Sequence, residues 1–251
     1  MKAPKVILAS ASPRRQQFFQ SLGIPFLTES ADVDETPAVN ESPAALVERL
    51  AIAKALTVGN RRNATLTDET KPDDQVDFLV VGADTVVAIA GEILGKPAHI
   101  EEAYAMLLKL RAGPHQVHTA LAIALFANAK LVRSRTLVNT TTVNMRCYRD
   151  SEVAAYIATG DPMDKAGAYA IQHQQFNPVA SFSGCPAAVM GLPVADLVHL
   201  LSEFGLHVGP SPWQVCSTLS GFPCCQERPP ATQVHFDGVA PENNVDGVLP
   251  N

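Results

Sequence analysis

The stretch that most constrains this chain is Phe78 to Pro97, FLVVGADTVVAIAGEILGKP. Phe78-Leu79-Val80-Val81 is short, unbroken and partly β-branched, which reads as a strand buried on both faces. Asp84 arrives at the end of that run, where water is scarce, and a carboxylate there is costly unless a cation or hydrogen bonds compensate it. Past a Gly91-Glu92 turn, Lys96 brings an ammonium back on a second strand. Asp84 is either the chemical centre of a hydrolase or the cap of a strand end, bonded to backbone amides in a turn.

A second signal lies at the N-terminus. Lys5 to Ala9 is a short buried strand, followed by Ser10-Ala11-Ser12-Pro13-Arg14-Arg15 and a helix ending at Gly23. Ser12 reads as the N-cap, Pro13 as the first helical residue and Gly23 as the terminator. Hydroxyls, free amides and two Arg side chains at a helix start suit a phosphate, because unpaired N–H groups and the helix dipole favour negative charge. Arg adds forked donors matched to phosphate oxygens. The competing reading is a surface helix with solvated Arg residues.

Ile24 to Thr28 suggests another strand. It runs into Asp32-Val33-Asp34-Glu35-Thr36, either an oxygen-ligand set for a divalent cation or a solvated acidic loop. Ser42-Pro43 opens a helix to about Val58, ended by Gly59. Lys54 falls on or beside its apolar stripe, as a snorkelling side chain or an ammonium pointed into a cleft. Residues 60–77 are polar and aperiodic and read as a long exposed loop.

Ile100 to Leu110 is helical. His115 to Phe126 and Leu131 to Met145 form an antiparallel pair, with His115 and His118 on opposite faces, poorly placed as joint metal ligands. A helix over about Asp150 to Thr159 follows. In Asp164 to Gln172 small residues flank a charged pair, either opening room for a ligand or forming a tight turn before a strand. The Gln172 amide, donor and acceptor together, suits a base edge. Pro178 to Ser183 reads as a strand, and Gly191-Leu192-Pro193 opens the last helix. From Gly209 the periodicity stops, so residues 1–208 are read as one domain and 209–251 as a disordered tail. The whole suggests a mixed-sheet α/β domain with a cleft.

Composition narrows the function. A net charge of −6 over 251 residues argues against a nucleic-acid binder, so an anionic ligand has to be held by local Arg and Lys clusters. No apolar stretch reaches the ~18 residues of a membrane span, and the first residues lack a signal-peptide core, which predicts a cytoplasmic protein. The five Cys are odd in number and scattered, as free thiols would be.

Taken in order, SASPRR (10–15), DVDET (32–36), LAIAKA (50–55), GADTVV (82–87), GKP (95–97), AGPHQVHTA (112–120), DKAGAYAIQ (164–172) and GLPV (191–194) resemble the Maf family of nucleoside triphosphate pyrophosphatases. The resemblance covers roughly residues 5 to 206 and implies an α/β, inosine triphosphatase-like domain with a mixed, strongly twisted sheet, flanking helices and a central cleft. It implies cleavage between the α and β phosphates with a divalent metal, Mg²⁺ or Mn²⁺. Asp84 is then the expected general base and a metal ligand with Glu35, and Ser10, Arg14, Arg15, Lys54 and Lys96 bind the triphosphate. Arg14, Thr85 and Gln172 match the branch taking dTTP and UTP; a branch preferring 7-methyl-GTP has Glu at the place of Gln172. His173-Gln174-Gln175 stands where the dTTP/UTP branch usually has glycine, and Gly184 to Ala188 also departs from the family pattern. A homodimer is compatible with the resemblance. The alternatives are the same reaction on 7-methyl-GTP, CTP or another modified nucleotide, or a non-catalytic nucleotide-binding regulator of septation.

Overall fold

The computed structural model describes residues 4–69, 77–128, 130–222 and 233–234. β1 (Lys5–Leu8) leads to α1 (Pro13–Ser21) and β2 (Phe26–Thr28), and α2 (Pro43–Glu69) precedes β3 (Phe78–Ile89). β4 (Glu92–Leu94) folds back on β3, and α3 (Ile100–Arg111) feeds the long pair β5 (His115–Ala127) and β6 (Lys130–Met145). Then come α4 (Asp150–Ala158), two 3-10 turns at Asp161–Asp164 and Ala166–Ala168, β7 (Val179–Ser183), α5 (Pro186–Val189), α6 (Val194–Glu203), α7 (Pro212–Ser220) and β8 (Gln233–Val234).

The sheet is mixed, in the order β2-β1-β3-β5-β6-β7. β1 runs parallel to β2 and β3, and β5 is antiparallel to β3 and β6. One face is covered by α2, whose Leu46, Leu50 and Val58 join Ile7, Val80 and Ala122. The other is covered by α1, α6 and α7, with Phe18, Phe19, Leu197 and Val215 against Leu8, Val81 and Leu121. A third cluster packs α3 and α4 on the far end of β3 and β5 through Val87 and Val117. Each large side chain so buried contributes about 1.5–3 kcal/mol relative to exposure, which fixes the layers.

Several sequence expectations change. β3 does not end near Gly82: it continues to Ile89, and Asp84 is a mid-strand residue opposite Ala120 on β5. Lys96 lies just past β4 rather than on it. α2 does not stop at Gly59 but runs to Glu69, so the loop expected over 60–77 is helical through residue 69, and residues 70–76 lie outside the described residues. Gly59 is there for packing, since a methyl at this position would collide with the ring of Phe126. No strand forms over 169–172, which follow the second 3-10 turn. Among the described residues of the expected tail, 212–220 form a helix, with Val215 and Cys216 buried. It has a Ser211–Gln214 capping box, Pro212 in the first turn and a left-handed Gly221 stop, all signals of a helix rather than of disorder. Residues 223–232 and 235–251 lie outside the described residues.

One topological detail positions the site. β1 pairs with β3 only as far as Leu8 opposite Val81, and the Ala9 N–H adds a last bond to the Val81 carbonyl. β4 then pairs with β3 from Val87 onward. Between them, β3 has no strand neighbour on that edge among the described residues, while β5 pairs with its other edge from Phe78 to Ala88. Asp84 and Thr85 sit in this gap, on opposite faces of β3.

Candidate active site

α2 lies directly against β3 beside this gap because Gly82 has no side chain. A methyl there would collide with the carbonyl oxygen of Ala51, so glycine lets the helix lie directly on the strand. Lys54, one turn further along α2 from Leu50, thereby reaches over Asp84. Its ammonium donates to Asp84 Oδ1 at 2.6 Å and meets Glu35 Oε1 at the same distance. The Asp84 side chain is only 10% exposed and that of Lys54 12%, whereas Glu35 stands 63% exposed. Burial pushes the Asp84 carboxyl above its ordinary range, and the Lys54 charge, its hydrogen bond and the more distant Arg15 pull it back. The result is a carboxylate more basic than a surface Asp with a cation at hand to keep it ionised.

On the opposite face of β3, Arg15 organises a second group. Its Nε donates to the Gly191 carbonyl (2.9 Å), one terminal nitrogen to Ser10 Oγ (3.3 Å) and the other to Thr85 Oγ1 (3.2 Å). Burial lowers the Arg15 pKa and the nearby Asp84 carboxylate opposes that. Thr85 Oγ1 lies 3.0 Å from Thr119 Oγ1, which donates to the Ala188 carbonyl at 2.8 Å. A hydroxyl has one proton. Thr119 spends its own on Ala188, so Thr85 must donate to Thr119 and accept from Arg15. The Thr85 hydroxyl is therefore no donor to a ligand. Its part is to hold the guanidinium.

Ser10, Arg14, Arg15, Glu35, Lys54, Thr85, Lys96 and Gln172 all line one cleft. Asp84 is not in the lining; it lies behind Lys54, which is. Ser12 occupies the N-cap position of α1, but its side chain makes no capping bond, leaving the first-turn N–H groups without a side-chain acceptor. Arg14 and Lys96 have no ion pair among the described residues, and Lys96 is exposed. An uncapped helix start, two Arg and a free Lys around one cleft form a site for a polyanion.

The donors also fit a hard divalent cation. Glu35 and Asp84 present carboxylate oxygens to a single positive charge, that of Lys54, and Mg²⁺ sites commonly use one or two carboxylates with phosphates and water completing the shell. Among the described residues no group of three or more His, Cys, Asp and Glu side chains gathers for a metal, so a cation bound by this pair would need further ligands from a substrate. Asp34 turns away, accepting from the Thr36 N–H. His115 and His118 bond to Tyr169 and Thr140.

Sequence reasoning missed four contributors. Thr119 sits within a quoted motif with no sign of a role beyond strand propensity. Gly191 stands at φ 104°, open essentially to glycine alone, which brings its carbonyl to Arg15. Arg49 steadies the acidic loop through Glu41 and the Thr36 carbonyl. Lys165, buried and bonded to Asp161 and Asp164, lines the cleft wall. The charged pair Asp164-Lys165 beside a small-residue run was the available signal for Lys165; for Arg49 there was none.

A family model described as Maf-like protein matches residues 5–204, and this chain belongs to the Maf family. It is 39% identical over 204 residues to a dTTP/UTP pyrophosphatase of Pelotomaculum thermopropionicum, a match covering 81% of this chain and 98% of that protein. It is 40% identical over 209 residues to a dTTP/UTP pyrophosphatase of Myxococcus xanthus (83% and 95% covered) and 43% identical over 205 residues to one of Thermomicrobium roseum (81% and 85% covered).

Proposed function

We propose that this protein hydrolyses dTTP and UTP to the monophosphate and pyrophosphate, with a divalent metal held by Glu35 and Asp84, as a cytoplasmic enzyme of nucleotide metabolism. The observation that carries the reading is the Asp84–Lys54 pair at the open edge of β3, behind a cleft lined by Arg14, Arg15 and Lys96. Family membership and the names of the relatives support the same reaction.

Lys54 occupies Asp84 Oδ1, and Oδ2 has no hydrogen bond among the described residues, so Oδ2 is the atom available to take a proton from water. The water oxygen forms a bond to the α phosphorus, its proton passes to Oδ2, and the bond from the α phosphorus to the bridging oxygen breaks. Pyrophosphate leaves with that electron pair. Arg14, Arg15, Lys96 and the start of α1 meet charge building on the departing phosphates, where fixed donors in a partly dry site act most strongly. A divalent cation held by Glu35 and Asp84 would supply further neutralisation of charge on the phosphate oxygens. Gln172 offers an amide to the carbonyl and imide edge of thymine or uracil.

The test is pyrophosphate release from a panel of nucleoside triphosphates with Mg²⁺ or Mn²⁺. Turnover of dTTP and UTP, with Asp84→Asn losing most of it while circular dichroism and melting show an intact fold, is the expected result. Full activity in Asp84→Asn would overturn the role of Asp84. Tight binding of nucleotide with no pyrophosphate released under either metal would leave a binding protein instead of an enzyme.

A further inference from the structure

Gln172 lies in the middle of a turn whose two ends rest on one buried side chain, Tyr156 of α4. The Tyr156 hydroxyl accepts from the Ala170 N–H at 3.1 Å and donates to Asp161 Oδ2 at 2.6 Å. At the other end, the His173 ring stands edge-on to the Tyr156 ring with centroids 4.7 Å apart, and Phe176 stacks on the same tyrosine at 4.3 Å. His173 also closes the turn with its own polar groups. Its N–H donates to the Ala170 carbonyl (3.1 Å), its Nδ1 accepts from the Phe176 N–H (3.0 Å), and its carbonyl accepts from the Asn177 N–H (2.7 Å). Gln172 lines the cleft and His173 does not.

An amide pairs with a base edge only when its plane and its oxygen match that edge, since a half-turn about its last bond exchanges donor and acceptor. Gln172 has no hydrogen bond of its own among the described residues, so the backbone on either side fixes the place and direction from which its side chain enters the cleft, and the base edge it meets there sets the amide's final rotation. That backbone is pinned at Ala170 by the Tyr156 hydroxyl and at His173 by a ring contact and a side-chain acceptor. We propose that His173 is a positioning residue for base selection, fixing with Tyr156 the turn that presents Gln172 to the nucleotide. The proposal rests on the preceding reading that the cleft takes a pyrimidine nucleoside triphosphate, but it concerns selection and not cleavage. In the His173→Ala variant the Phe176 N–H loses its acceptor and the ring contact disappears. His173→Asn keeps an acceptor oxygen close to the place of Nδ1.

The experiment measures binding without hydrolysis. Affinities of α,β-imido analogues of dTTP, UTP, CTP and GTP are compared by calorimetry with Mg²⁺ for the wild type, His173→Ala, His173→Asn and Tyr156→Phe, alongside melting temperatures. The expected result is a wild-type preference for the thymine and uracil analogues that shrinks about fivefold or more in His173→Ala, the scale of one lost hydrogen bond. Tyr156→Phe shifts it in the same direction, and His173→Asn recovers most of it. A uniform weakening for all four bases, an unchanged preference in His173→Ala, or no base preference in the wild type overturns the proposal. Should His173→Ala not fold, Tyr156→Phe and His173→Asn decide: a preference kept in Tyr156→Phe, or lost in His173→Asn, overturns it. Base-selective binding by a wild type that releases no pyrophosphate would sink the enzymatic reading and leave this one standing.

Discussion

Gly82 of β3 and Ala51 of α2 meet backbone to backbone, and that contact sets how far Lys54 reaches over Asp84. A methyl at residue 82 has no flexible side chain to push aside, only the Ala51 carbonyl and the adjacent helix backbone. Gly82→Ala should therefore cost about 1–3 kcal/mol of stability, the range for overpacking a dense core. It should also cut turnover well beyond the loss of folded protein, because α2 must lift and carry Lys54 away from Asp84. Urea denaturation and turnover corrected for folded fraction separate the two effects.

Asp84 carries a stability cost whose sign is opposite to that of its proposed use. Burial raises its folded pKa above the ordinary 3.8, against the pull of Lys54 and Arg15. Folding thus favours the protonated form: the contribution is fully present below the unfolded value and is lost as pH rises through the folded value. Asp84→Asn never ionises. It should melt higher than the wild type at neutral pH, with the difference closing toward about pH 4, while its turnover is largely gone. Equal melting temperatures across that range would contradict the burial argument.

The relay from Arg15 through Thr85 and Thr119 to the Ala188 carbonyl is directional, and so are its variants. Thr119→Val keeps the shape but leaves the Thr85 hydroxyl proton without its acceptor and takes one donor from the Ala188 carbonyl, which keeps the Gly191 N–H; an unsatisfied buried donor costs about 1–3 kcal/mol. The expected activity change is a raised KM through a misplaced Arg15. Thr119→Ser, which preserves the hydroxyl, should restore both. Equal behaviour of the Val and Ser variants in steady-state kinetics would show that the hydroxyl is not the reason.

Much of this was legible in the sequence because local chemistry and tertiary packing agree there. Phe78-Leu79-Val80-Val81, Pro13 and the long β-rich runs of β5 and β6 each report an element directly. The failures lie where a residue's purpose is a contact distant in sequence. Gly59 and Gly82 look like a helix stop and a strand break, yet each is a place where two elements touch, at Phe126 and at Ala51. In α7, the Pro, Ser and Gly content hid a helix whose caps are made of just those residues. At the site, the acid, Lys and Arg residues were visible as types. The division of Asp84 and Thr85 between the two faces of β3, and the proton direction at Thr119, needed the register and the distances.

His115 is a test remote from the acid–Lys–Arg group. It is buried at the start of β5, with Nε2 2.8 Å from the Tyr169 hydroxyl and, among the described residues, no hydrogen-bond partner for Nδ1. Burial lowers its pKa from 6.5 to about 4, and among the described residues no carboxylate bonds to it to oppose that. A base depressed in the folded state gives stability that is complete above its unfolded value and is lost as pH falls through the folded value. The window is therefore between about 6.5 and 4, and the contribution at stake is about 3 kcal/mol, at 1.36 kcal/mol per pKa unit. His115→Gln cannot charge and keeps a polar group beside Tyr169. Its stability at neutral pH should fall slightly, but its loss of stability on acidification should be shallower than that of the wild type. Denaturant titrations at pH 7, 5.5 and 4.5 measure this slope, and parallel curves for the two proteins would refute the buried, neutral imidazole.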